Sequence, residues 1–98
     1  MKPKVHSIHF DADHKLLEFI EGRISKLQLF HDGIIDSEVF LRLDKAKNDE
    51  NKVAEIKLNI PGKELFAKKQ CKSFEAAADG AVEALRRQLK KHKEKLSK

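Results

Sequence analysis

The stretch ELFAKKQCKSFEAAADGAVEALRRQLKKHKEKL (Glu64–Leu96) contains two periodicities. Its opening, ELFAKKQC, reads as an extended strand that follows the tight turn made by Pro61 and Gly62. From Ser73 onward, apolar residues stand at Phe74, Ala78, Val82, Leu85, Leu89 and Leu96, in steps of three, four or seven. That is the spacing of one helix face. Ser73 is a good N-cap, and Glu75 falls in the first turn, where the helix dipole favours an acid. The segment therefore predicts a last strand followed by a long amphipathic helix. Arg86, Arg87, Lys90, Lys91 and Lys93 lie off the apolar stripe, facing solvent or a ligand.

Upstream, KVAEIKLNIPG alternates strictly. Ala54, Ile56, Leu58 and Ile60 point one way, and Glu55, Lys57 and Asn59 the other. SEVFLRLD does the same with Val39, Leu41 and Leu43 inward. A period of two is the mark of half-buried strands with one wet face. The polar KAKNDEN joins them. HKLLEFIEGRISKLQLF places Leu16, Leu17, Ile20, Ile24 and Leu27 at helical spacing behind the N-cap Asp13, and HDG closes it. KVHSIHF (Lys4–Phe10) reads as a first strand. The order is β-α-β-β-β-α. It predicts an α+β fold, a two-layer sandwich with two helices on one face of a four-stranded sheet. With no linker-like segment among 98 residues, the reading is one domain over residues 1–98.

Charge narrows the function. The net charge of +5 is unevenly placed. Residues 1–62 hold 10 Lys/Arg against 11 Asp/Glu, whereas residues 63–98 hold 11 against 5. An excess confined to the last third points to an anionic partner. Between Arg86 and Lys98 Glu94 is the only acid, so local ion pairing cannot neutralise the helix. Lys63, Lys68, Lys69 and Lys72 are expected to add a second basic patch. A rigid surface of this kind suits phosphates. Phe30, Phe40 and Phe66 are the candidates for base stacking, against the competing reading that they fill the core. The aromatic signature of the RRM and the GxxG loop of KH domains are both missing, and a double-stranded-RNA-binding domain would begin with a helix. Many point charges and few base-reading groups favour recognition of a folded RNA by shape and backbone.

Chemistry finds less support. His6, Ser7, His9, Asp11, Asp13 and His14 cluster near the start, but His6 and His9 fall on opposite faces of a strand and no second ligand pair exists. They read as surface or half-buried side chains rather than a metal site or a triad. Cys71 is the single cysteine, read as a small residue filling an inward position and suited to a reducing compartment. The glycines form no phosphate-cradling loop. No apolar run is long enough to span a bilayer. The expectation is a cytoplasmic, non-enzymatic protein with no cofactor, no metal, no small-molecule substrate and no membrane association.

The last third, with its ELFA strand, the Ala76, Ala77 and Asp79 helix start, and RQLKKHK (Arg87–Lys93), resembles the bacterial ribosome hibernation promoting factors. That family includes ribosome-associated inhibitor A and proteins labelled sigma-54 modulation proteins. The resemblance implies a β-α-β-β-β-α domain that binds the small ribosomal subunit and its rRNA where mRNA and tRNAs meet. There it would inhibit translation in starvation or stationary phase, as a monomer when off the ribosome. It also implies that Arg86, Arg87, Lys90, Lys91 and Lys93 contact rRNA, with Lys68, Lys69 and Lys72 adding contacts. Two positions depart from the family pattern: Glu75 stands where many relatives carry tyrosine, and Lys68 and Lys69 stand where several are acidic. With Lys98 as the last residue, the resemblance is to the short form, and no second, ribosome-dimerising domain is expected. The competing reading is a protein-interaction module whose basic helix docks an acidic partner, such as a sigma-54-type transcription factor.

Overall fold

The structure, a computed structural model, describes residues 3–8, 10–31, 33–45 and 50–96, without the side chains of Lys95 and Leu96. His9, Asp32 of the HDG turn, most of the KAKNDEN connection and the packing of Leu96 lie outside the described residues. The elements are β1 (Lys4–Ile8), α1 (His14–Phe30), β2 (Asp36–Leu43), β3 (Lys52–Ile60), β4 (Lys63–Cys71) and α2 (Phe74–Leu96).

The four strands form one sheet in the order β1-β2-β3-β4. β2, β3 and β4 run antiparallel, as alternation in short-looped strands predicts. β1 pairs parallel with β2, since α1 carries the chain back over the sheet between them. Gly62, with φ 77°, follows Pro61 in the turn joining β3 to β4. Proline pre-sets the negative φ of the first central residue, and glycine accepts the positive φ of the second.

Register sends Val39 and Leu41, Ala54, Ile56, Leu58 and Ile60, and Leu65 and Ala67 to one face. There they meet Leu16, Ile20, Ile24 and Leu27 of α1 and Ala77, Ala78, Ala81, Val82, Leu85 and Leu89 of α2 in a single core. Both helices thus cover the same face, the two-layer arrangement expected. The first half of α2 meets the core with the small side chains of Ala77, Ala78 and Ala81, and the second half with Leu85 and Leu89. Both helix starts are capped as read from sequence. The Asp13 carboxylate accepts the Leu16 N–H at 2.8 Å, and Ser73 Oγ accepts the Ala76 N–H at 3.1 Å. Each cap satisfies one donor that has no partner within its helix.

Two strand positions depart from simple alternation. Leu43 is 49% exposed, because it ends β2 opposite Lys52, beside the polar connection and beyond the helices. Val53 is fully buried although its register partners are Arg42 and Gln70 on the open face; it is not part of the main core.

Candidate nucleic-acid interface

The α2 stripe fixes the basic residues by elimination. Leu85 and Leu89 have essentially no exposed surface, so Arg86 and Arg87 between them emerge on the outer side of the helix, while Gln88 donates to the Phe66 carbonyl of β4 at 2.9 Å. Arg86, Arg87, Lys90, Lys91 and Lys93 are all exposed. At about 100° per residue, Arg86, Lys90 and Lys93 align on the flank toward α1, while Lys91 turns toward β4. There Lys91 shares a shallow depression with Lys63, Gln88 and His92.

On the α1 side a groove of about 580 Å³ is lined by Phe30, by the cations of Arg86, Arg87, Lys90 and Lys93, and by two acids, Glu83 and Glu94. A second depression of about 290 Å³ continues it between the helices, sharing Phe30, Glu83 and Arg86 and adding Arg23, Lys26 and Asp79. The guanidinium of Arg86 lies over the Phe30 ring, 5.7 Å from its centroid, and is 3.4 Å from Glu83. Arg23 bridges the helices through Asp79 at 3.3 Å. Among the described residues, Arg87, Lys90 and Lys91 have no carboxylate within 4.0 Å. These three are therefore available to an external anion.

The expected second patch is arranged differently. Lys68 and Lys69 are consecutive on β4 and so emerge on opposite sides of the sheet. Lys68 registers with Glu55 on the open face. Lys69 runs along α2, its Cγ 3.2 Å from where a Cβ on Gly80 would sit. Lys72 is exposed just before α2. The three do not share one surface, and only Lys69 lies on the helix side. Phe30, one of the three candidates for base stacking, lines the groove, and so do Arg23 and Lys26 of α1, which were not singled out from sequence. The spacing of three and four from Arg23 to Lys26 to Phe30 places them on one flank of α1 beside the Ile20–Ile24–Leu27 stripe, but only the packing of α1 against α2 brings that flank to the groove.

On the open face acids and bases compensate across strands. His6 Nε2 lies 2.7 Å from Glu38 and its ring stacks on Phe40 at 4.9 Å, while Arg42 pairs with Glu55. Phe66 is 45% exposed there. His6 is thus engaged in a surface pair, and His14 pairs along α1 with Glu18 at 2.6 Å. Among the described residues no group of three His, Cys, Asp or Glu could hold a metal ion. Cys71 packs partly buried against the core. Glu75 is exposed in the first turn of α2, and Phe74 stacks on Phe10 at 4.7 Å. No helix among the described residues is long and apolar enough to cross a membrane.

A basic helix face on a four-stranded sheet defines a class of α+β proteins with a charged helical surface. Residues 4–97 match the family described as Sigma 54 modulation protein / S30EA ribosomal protein, and the chain belongs to it. It is 34% identical over 79 residues to a ribosome hibernation promoting factor of Klebsiella oxytoca, covering 81% of this chain and 79% of that protein. It is 32% identical over 96 residues to that of Escherichia coli K12, covering 98% and 97%. A ribosomal subunit interface protein from Coxiella burnetii superposes with a TM-score of 0.83 over 95% of this chain and 98% of that one, at 20% identity, which shows the shared fold. The chain's curated relatives are named ribosome hibernation promoting factors, a non-enzymatic family.

Proposed function

We propose that this chain is a ribosome hibernation factor that binds the small ribosomal subunit through rRNA, in the channel shared by mRNA and tRNAs, and so blocks translation during starvation. Membership of the family and the names of its relatives support the ribosome-associated hibernation role. One observation supports α2 as the contact: Arg87, Lys90 and Lys91, without carboxylate partners among the described residues, stand on a helix anchored by the buried Leu85 and Leu89. Cations already held in place lose little side-chain and backbone freedom on meeting phosphates, so more of the electrostatic gain appears as affinity. Such a factor works in the cytoplasm, as one domain and as a monomer when free. Competing directly with translation ligands requires no chemistry, only occupancy.

Sedimentation with purified subunits tests this reading. The protein is expected to pellet with small subunits and not with large ones. It should leave the pellet when rRNA is digested with ribonuclease, and should halt translation in a reconstituted system once it is stoichiometric with small subunits. Pelleting that survives complete rRNA digestion would instead establish an acidic protein partner.

A further inference from the structure

Phosphate binding alone does not account for the lining of the groove between α1 and α2. A surface that reads only backbone charge needs cations and no aromatic ring. Here the floor is an aromatic ring, Phe30, with the planar guanidinium of Arg86 held over it at 5.7 Å. Glu83 lies 3.4 Å from the same guanidinium. The depression, about 580 Å³, is large enough for a base and its ribose, and Arg87 and Lys90 line it along α2. It does not end there: the adjoining depression shares Phe30, Glu83 and Arg86 and leads to Arg23 and Lys26 on α1. Cations therefore lie on both sides of one aromatic–guanidinium stack.

We infer that this trough seats an unstacked nucleotide of a single-stranded RNA segment, its base on the Arg86–Phe30 stack and its neighbouring phosphates on Arg87, Lys90 and Lys26. The inference rests on the reading of α2 as an RNA-binding face and deepens it from backbone contact to a base seat. Stacking on an aromatic or guanidinium plane is open to any base, since each has a π face, so the seat selects single strands over duplex rather than one sequence. A paired base keeps its stacking partners and cannot enter. Continuation of the trough beyond Phe30 suits a strand that passes through it and not an isolated nucleotide.

Fluorescence anisotropy with a labelled ten-residue oligouridylate and a ten-base-pair RNA duplex tests this on the full chain. Phe30→Leu keeps an apolar side chain beneath Arg86 but removes the ring. Arg86→Lys keeps the charge but removes the plane and changes only an exposed side chain. Each is expected to weaken single-strand binding about tenfold, the usual contribution of one base stack, and to leave duplex binding within about twofold. Thermal unfolding confirms the fold of each variant, and if Phe30→Leu does not fold, Arg86→Lys decides alone. Unchanged single-strand affinity, or an equal loss for both ligands, overturns the base seat in favour of phosphate contact only. Displacement of the oligomer by micromolar uridine monophosphate overturns it in favour of a free-nucleotide pocket. Arg87→Glu separates the two levels of the account: it should weaken both ligands, and if it weakens neither, the RNA-binding reading of α2 fails as well.

Discussion

The combined variant Arg87→Glu/Lys90→Glu/Lys91→Glu should bind small ribosomal subunits at least a hundredfold more weakly than the unaltered chain near 0.1 M salt. The size follows from counterion release. Each phosphate neutralised changes the slope of log affinity against log salt by about 0.7–0.9. Relative to a 1 M reference, one contact therefore contributes close to 0.7–0.9 of a log unit at 0.1 M. Losing three contacts costs roughly a hundred- to five-hundredfold, and the introduced carboxylates add repulsion. The salt slope should also become shallower by about 2 to 3. All three residues are exposed and have no carboxylate partner among the described residues, so the variant should keep its fold. Acids in the second half of α2 oppose the helix dipole by only a few tenths of a kcal/mol up to about 1 kcal/mol. Filter binding or pelleting across a salt series, paired with thermal unfolding, reads both quantities. Retained affinity in the folded variant would move the contact away from α2.

Leu85→Ala should lower the free energy of unfolding by about 2–5 kcal/mol. Leu85 has no exposed surface and sits where α2 meets the sheet and α1. Truncation loses the transfer free energy of the removed carbons and leaves a cavity that a close-packed interior closes only in part. Total stabilities of small domains are about 5–15 kcal/mol, so one such change is a large fraction. At about 4–8 °C per kcal/mol for a chain of this size, the melting temperature should fall by at least about 8 °C. Leu29→Ala is the matched control. Leu29 is 89% exposed, and its truncation should shift the melt by no more than a degree or two. A Leu85→Ala melt close to that of Leu29→Ala would mean that α2 is not locked to the sheet. The row of cations would then lose its fixed spacing.

Most of the architecture was legible because local signals agreed with one another. The hydrophobic period changed from two to about 3.6 at Ser73, a proline-glycine pair marked the β3–β4 turn, and Asp13 and Ser73 marked both helix starts. Each of these is a short-range property, set within a few residues by backbone geometry. The parallel pairing of β1 with β2 was not legible, because it depends on where α1 lands across the sheet and not on any nearby residue. The same limit applied to the site. The cations of α2 could be placed from its apolar stripe alone. The contributions of Arg23 and Lys26, and the pairing of the stacking candidate Phe30 with Arg86, could not, since they arise only once α1 lies beside α2. Lys68 and Lys69 were grouped by their adjacency in sequence, yet adjacency in a strand separates side chains onto opposite faces. Compensation on the open face is likewise a matter of register: Arg42 meets Glu55, and His6 meets Glu38, only through strand pairing.

Site-specific photo-crosslinking to intact small subunits tests most directly whether the outer face of α2 is what meets rRNA. A photoreactive residue at Lys90, on the exposed flank of α2, is expected to crosslink to small-subunit rRNA, and one at Phe66, on the open sheet face, to give little or none. Crosslinks to rRNA from Phe66 and none from Lys90, or crosslinks from Lys90 to protein alone, would contradict the account.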